Sequence, residues 1–452
     1  MSSIPMTPFR SDPYGAEIMA PPTPETVAAT GLSGEFIVDL LLKTLYVQGA
    51  RSGQHLTDMI RLPFDFVDDQ LLSLQQRRLV EVRGTSGPSR GGYTFDLTTA
   101  GRERAREALA SSQYVGPAPV PLTQYRTWVE KQSIRNVHVT KQVIRDGFQR
   151  MVLSDAIHDV LGPAINSAKS LFLYGAPGNG KTMIAETIAQ MLGGNIYVPY
   201  AVEIEGQIMV VHDPVFHRNV EESELAPSLE LVPSDPTWLK QAPSYDRRYA
   251  LVRRPVVLTG GELTLEQLDL QYDQYTKMYQ APFQVKANGG VLILDDFGRQ
   301  RVPPKDLLNR WIVPLEKRID FLTLHTGGKF PIPFDTLLII STNLEPSHLV
   351  EEAFPRRIHY KIMVEGPNPE QFADIFQRNC AERGIGYDPS IVAYIYESWY
   401  ARHSIIPRGC HPRDILDHVV DIARFHQVAP AATVDMVDRA CRSYFLDDSR
   451  TA

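Results

Sequence analysis

Hydrophobic and polar positions along this chain follow two periods, and the changes between them mark its parts. Phe36, Leu40, Leu41 and Leu45 recur at helical spacing. Shorter helical patterns follow at residues 54–60 and from about 66 to 79. The period then drops to two at Val80-Glu81-Val82 and Tyr93-Thr94-Phe95, which predicts two strands around the glycine- and serine-rich stretch 84–92. A further helix restarts after Leu97, with Thr98 or Thr99 as its cap. Six prolines within residues 1–30 predict an irregular, disordered tail, and the proline run 116–121 predicts a stiff linker within 113–138. From about 122 to 365, short aliphatic strands alternate with helices, the pattern of a layered α/β domain. From residue 368 onward four amphipathic helical stretches follow, at about 368–383, 388–402, 411–427 and 433–446, with no strand. Within the α/β region, residues 205–213 alternate like a hairpin, and residues 321–334 predict another around Thr326-Gly-Gly-Lys329. Tyr272, Tyr275 and Tyr279, at i, i+3 and i+7, fit helical core packing.

Composition narrows the classes. The 452 residues carry 46 basic and 53 acidic side chains, a net charge of −7, which argues against a chain whose main task is coating nucleic acid. Cys380, Cys410 and Cys441 are widely separated and form no CxxC pair, so neither a disulfide scaffold nor a cysteine zinc site is expected. The N-terminal stretch lacks the basic-then-apolar order of a signal peptide, and apolar runs such as 291–294 and 337–340 are too short to span a bilayer. A cytoplasmic protein with no membrane insertion is the expectation.

The candidate chemistry begins at the strand pattern Leu171–Tyr174. It runs into Gly175-Ala176-Pro177-Gly178-Asn179-Gly180-Lys181-Thr182 and then a helix opening at Met183. This is GxxxxGK[ST] between strand and helix. Glycines let the backbone approach phosphate oxygens, and successive N–H groups with the helix N-terminus supply positive potential. Lys181 would reach the terminal phosphates of ATP, and the Thr182 hydroxyl would ligate Mg²⁺. The aliphatic strand 290–294 ends in Asp295-Asp296, the end of a parallel strand where ligands bind. Asp295 would complete the Mg²⁺ shell and Asp296 would polarise an attacking water.

Phosphate loop, acidic strand end and then Leu338-Ile-Ile-Ser-Thr-Asn343 stand in an order that resembles the AAA+ ATPase superfamily over about 140–445. The resemblance implies a P-loop core with a parallel sheet and a helical C-terminal lid, giving a motor at 139–365 and a lid at 366–452. It also implies the roles of the remaining candidates. Asn343 matches the polar "sensor 1" residue, and Arg356 or Arg357 the arginine finger that reaches a neighbouring subunit's nucleotide. Arg413, opening a C-terminal helix, matches the "sensor 2" arginine. A trans arginine implies a ring, six subunits by resemblance. One departure is Asp296, where the superfamily usually has Glu; slow or partner-dependent turnover, or a nucleotide switch, follows from the shorter side chain. The hairpin before Asn343 resembles the branch containing MoxR-like ATPases, which remodels proteins or DNA.

Residues 31–112 resemble an α+β winged-helix domain. Its ten basic and ten acidic residues cancel, and Asp65, Asp68 and Asp69 open the candidate reading helix. Carboxylates there would face phosphates of like charge, so docking of an unknown protein client is favoured over DNA reading. Arg247, Arg248, Arg253 and Arg254 are expected to be solvated or paired rather than to hold phosphate.

Overall fold

The computed structural model describes residues 10–11, 17–87, 89–220, 245–345 and 358–445. In the N-terminal part, helices span Gly34–Gln48, Gly53–Ile60, Phe64–Gln76 and Thr99–Ser111. Side-chain caps start three of them: Ser33, Ser52 and Thr98 accept from the amides of Phe36, His55 and Gly101. Strands Val80–Thr85 and Tyr93–Leu97 pair antiparallel, and Arg51–Ser52 adds a third strand beside Tyr93–Leu97. Leu40, Leu41, Leu56, Leu71, Leu74, Phe95 and Leu97 fill the space between helices and sheet. Gly101 lies so close to the turn before Val80–Thr85 that a Cβ there would stand 1.9 Å from the carbonyl oxygen of Leu79.

The stretch expected to be a linker is built into the protein. Val120–Pro121 pairs with Ala201–Ile204, and helix Leu122–Lys131 buries Tyr125, Trp128 and Val129. Those three positions follow an i, i+3, i+4 pattern, which the proline run before them masked. Residues 20–21 and Thr30 of the expected tail are also docked: the amide of Asp246 donates to the Pro21 carbonyl, and Thr30 is buried.

A β-rich body draws most of its strands from the chain between the phosphate loop and the acidic strand, joined by one strand from before the loop and a hairpin from after the acidic pair. Its five-stranded sheet runs Gln271–Asp273, Met278–Gln280, Gln207–Val210, Ala201–Ile204, Val120–Pro121. Asn195–Pro199 pairs antiparallel with Tyr249–Arg253, and Ile319–Thr323 with Lys329–Pro333. Their inward residues share one core that includes Val202, Met209, Tyr249, Tyr279, Leu322 and Ile332. Glu205 (φ 51°) and Gly206 (φ 81°) make the tight turn between Ala201–Ile204 and Gln207–Val210. The helical spacing of the tyrosines is overturned here: Tyr272 and Tyr279 face each other across a hairpin, and Tyr275 is exposed in its turn. Tyr279 is nonetheless core. The basic cluster is largely paired. Arg248 is buried against Asp246 (2.7 Å), and Arg247 lies 3.1 Å from Asp58.

The central sheet has five parallel strands: β1 (Leu171–Tyr174), β2 (Val256–Thr259), β3 (Val291–Leu294), β4 (Leu337–Thr342) and β5 (Tyr360–Met363). Their order is β2-β3-β4-β1-β5. β3 and β4 are buried along their whole length, as continuous aliphatic runs in a covered parallel sheet must be. Helix α1 (Lys181–Met191) follows β1 and packs Ile184, Ala185 and Ile188 on it. This is a mixed α/β core with a five-stranded parallel sheet and a phosphate-loop-like turn between β1 and α1. The C-terminal helices span Pro369–Glu382, Pro389–Ile395, continued by a π turn at Tyr396–Ala401, His411–Phe425 and Val434–Tyr444. Phe372, Phe376, Trp399, Ile415, Val419 and Val437 make their separate core.

Candidate functional site

The loop between β1 and α1 turns through three glycines at positive φ: Gly175 (137°), Gly178 (83°) and Gly180 (84°). Two of them also admit a close approach. A Cβ on Gly175 would stand 2.5 Å from the Val364 carbonyl oxygen, and one on Gly178 would stand 2.6 Å from Cys410 Sγ. Lys181 is buried and begins α1. Its Nζ donates to the carbonyls of Gly175 (2.9 Å) and Ala176 (2.9 Å) and to Asn343 Oδ1 (2.8 Å). Burial holds the Lys181 ammonium below the usual lysine range, with Asp295 and Asp296 acting in the opposite direction.

The strand order brings the acidic pair to the same place. β3 and β4 are neighbours, and β4 lies beside β1, so the C-terminal ends of all three meet at the loop. Thr182 Oγ1 donates to Asp295 Oδ2 at 2.8 Å, and Asn343 Nδ2 donates to Asp296 Oδ1 at 3.2 Å. Lys181, Asn343 and Asp296 thus form one hydrogen-bonded chain beside the Thr182–Asp295 pair. Asp296 adopts φ 47°, a left-handed conformation uncommon outside glycine, asparagine and aspartate. Its turn is pinned by partners the sequence did not point to. Gln300 Nε2 donates to the carbonyls of Asp295 (3.1 Å) and Asp296 (3.3 Å), and Thr342 Oγ1 donates to the Phe297 carbonyl (2.6 Å).

The helical domain touches the loop directly. The Cys410 amide donates to the Gly178 carbonyl (2.8 Å), and the Gly409 amide donates to Asn179 Oδ1 (3.2 Å). Asn179 Nδ2 donates in turn to the Val364 carbonyl (3.4 Å), just past β5. Asn179 therefore ties the loop to both the lid and the segment leading to it, a role no motif announces. His411, which opens the lid helix, is buried; its Nδ1 faces the Tyr400 hydroxyl (3.0 Å) and the Arg408 amide (3.3 Å). Burial lowers its pKa to about 4, with Arg408 adding to the effect. Arg413 lies in the first turn of the same helix, 2.8 Å from Asp414 and with 55% of its side chain exposed. Ala176 and Pro177 are exposed in the loop, and Met183 is exposed in the first turn of α1. Arg356 and Arg357 lie outside the described residues.

Three comparisons bear on this arrangement. A family model described as a domain of unknown function (DUF8689) matches residues 368–443, the helical lid. No curated protein sequence matches the chain. Among solved structures, a mutant of RuvB from Thermotoga maritima is similar at 12% identity, over 70% of this chain and 74% of that one, with a TM-score of 0.38. NtrX from Brucella abortus is similar at 12% identity, over 74% of this chain and 59% of that one, with a TM-score of 0.35. A MarR family regulator from Neisseria meningitidis is similar at 22% identity over 19% of this chain and 58% of its own, with a TM-score of 0.16. With TM-scores of 0.38 and below, these likenesses add no weight to the strand order and the loop geometry, which define the fold. No helix among the described residues is long and apolar enough to cross a membrane.

Proposed function

We propose that the chain is an ATP-binding and ATP-hydrolysing machine of the AAA+ type that remodels a protein partner as a ring. One observation carries the nucleotide reading: Lys181, Thr182, Asp295, Asp296 and Asn343, from three separate segments, meet at one loop as a hydrogen-bonded chain and an adjacent pair. The backbone N–H groups of 178–182, beyond Pro177 with its missing donor, hold phosphate oxygens, and Lys181 is a buried cation beside them. Thr182 and Asp295 offer only hard oxygen donors, which fits Mg²⁺. Among the described residues no group of three or more His, Cys, Asp or Glu could hold a metal, so such an ion takes its other ligands from phosphate and water. Bound there, Mg²⁺ neutralises charge on the phosphates. Asp296 accepts the proton of the attacking water, and Asn343, hydrogen-bonded to it, fixes its orientation. Arg413 approaches the phosphates from the lid, and Arg356 or Arg357 enters the site of the adjoining subunit.

For the winged-helix-like N-terminal domain, ion pairing supports protein docking over DNA reading. Arg77, Arg83, Arg90, Arg102 and Arg104 each lie within 3.3 Å of a carboxylate, which leaves little free positive charge for phosphates. The test is steady-state ATP hydrolysis against protein concentration, with and without duplex DNA and with Lys181→Ala as the blank. A rate per subunit that rises with concentration and ignores DNA is expected. A sharp rise on adding DNA would make the chain a DNA-directed machine instead, and no turnover above the blank would leave a nucleotide switch.

A further inference from the structure

Asp414 stands between two side chains that the reaction scheme above does not connect. One oxygen, Oδ1, accepts from Arg413 Nε at 2.8 Å, and the second guanidinium nitrogen is also 2.8 Å away. The other oxygen, Oδ2, accepts from the Tyr444 hydroxyl at 2.8 Å. Burial and the neighbouring carboxylate push the Tyr444 phenol well above its usual range, so it stays protonated and donates. Tyr444 Oη also lies 3.8 Å from Cys410 Sγ, and Cys410 is the residue whose amide meets the phosphate loop. Behind Tyr444 the chain is firmly seated: Phe445 packs edge-on to His411 and Tyr400, and stacks on Trp399.

The geometry has a physical consequence. Arg413 is more than half exposed on the first turn of a helix. A free arginine there samples many rotamers and loses that freedom only on meeting a ligand. A fork gripped through two nitrogens by a carboxylate that is itself tied down has already lost it. Asp414 cannot swing with Arg413, because Tyr444 holds its second oxygen and its own amide donates to the Cys410 carbonyl at 3.0 Å. The lid arginine is therefore referenced to the same residue, Cys410, that docks the lid on Gly178.

We propose that Asp414, anchored by Tyr444, is a positioning residue that sets how Arg413 meets the terminal phosphate of the nucleotide, and so sets the preference for a triphosphate over a diphosphate. This rests on the reading of Arg413 as a phosphate contact. The preference, unlike overall affinity, isolates the outermost phosphate, and a merely structural role for Asp414 would weaken ATP and ADP alike.

The experiment measures ATP and ADP affinities, with Mg²⁺ present, for the full chain and for Arg413→Ala, Asp414→Asn, Tyr444→Phe and the double variant Arg413→Ala/Asp414→Asn. Asp414→Asn is expected to cut the ATP-over-ADP preference about five- to tenfold, in line with a charge-assisted hydrogen bond lost at a half-exposed site. Tyr444→Phe should cut it by less, in the same direction. In the Arg413→Ala background Asp414→Asn should change nothing further, because its effect passes through the arginine. Equal weakening of ATP and ADP, or an undiminished effect in the double variant, overturns the proposal. If Arg413→Ala leaves the preference intact while Lys181→Ala abolishes binding, the phosphate role of Arg413 fails and the positioning role falls with it. Should Asp414→Asn not fold, Tyr444→Phe carries the same comparison.

Discussion

Gly178→Ala tests how tightly the lid sits on the phosphate loop. Two costs can be read from the structure. Gly178 has φ 83°, and an L-residue in the left-handed region costs about 1 kcal/mol or somewhat more. The new Cβ would stand 2.6 Å from Cys410 Sγ. Carbon–sulfur contacts settle roughly 1 Å further apart, so the sulfur has to retreat. Cys410 cannot retreat freely, because its amide is bonded to the Gly178 carbonyl at 2.8 Å. Stretching that bond adds about 1 kcal/mol. Together the docked lid loses about 2–3 kcal/mol, a factor of roughly 30 to 150 in its equilibrium with an open lid. Amide hydrogen exchange at Gly409 and Cys410 reads that equilibrium directly, and it needs no nucleotide. Protection there should fall by the same factor. Adding Cys410→Ala removes the sulfur and should restore all but the backbone part, leaving a deficit of roughly five- to tenfold. Unchanged protection in Gly178→Ala, or no recovery in the double variant, would refute the reasoning.

Further tests address other parts of the molecule. Arg248→Met strands the buried Asp246 carboxylate without its cation and should cost about 3–5 kcal/mol in urea unfolding; Asp246→Asn added to it should recover part of the loss, and a cost under about 1 kcal/mol would contradict the buried pair. Asp296→Asn should lower multiple-turnover ATP hydrolysis by about 100-fold or more with nucleotide affinity nearly unchanged, measured side by side by phosphate release and calorimetry. His217 and His411 are both lowered to about 4, chiefly by burial, against an ordinary value of 6.5. Between those values the unfolded chain binds protons that the folded chain refuses. Stability is therefore full above pH 6.5 and drains as pH falls toward 4. Thermal melting of His411→Gln across that range should show a shallower acid slope, and an unaltered slope would count against a neutral buried imidazole.

The phosphate loop and the ends of β3 and β4 were legible because their chemistry is local. A glycine-rich turn, a lysine, a hydroxyl and strand-end carboxylates declare themselves within a few residues, and the parallel sheet alone brings them together. The helices of the N-terminal part and of the lid were legible from their periodicity. The β-rich body was not, beyond its hairpins, because strands of three to five residues carry too few alternations to be told from other patterns. Tyr272, Tyr275 and Tyr279 illustrate this: a hairpin mimicked a helical period. Asn179 and Cys410 were silent for a different reason. They are 231 residues apart in the chain, and nothing local to either predicts that lid and loop would meet. Asp414 and Tyr444 are hidden in the same way.

Arg248 has a mechanical consequence. Its guanidinium donates to the Thr30 carbonyl, the Pro119 carbonyl and Gln124, and it grips Asp246. Nearby, Arg247 reaches Asp58 on the second N-terminal helix, and Arg61 lies over the Tyr200 ring at 4.6 Å. The N-terminal helices are thus riveted to the strand Tyr249–Arg253 rather than hung from a tether. That strand is laced to Asn195–Pro199, which begins four residues after α1 ends, and it leads within three residues into β2. Among the described residues, the N-terminal helices thus connect through ion-paired and hydrogen-bonded strands to the helix that carries Lys181 and Thr182, so a displacement at one end strains the contacts at the other.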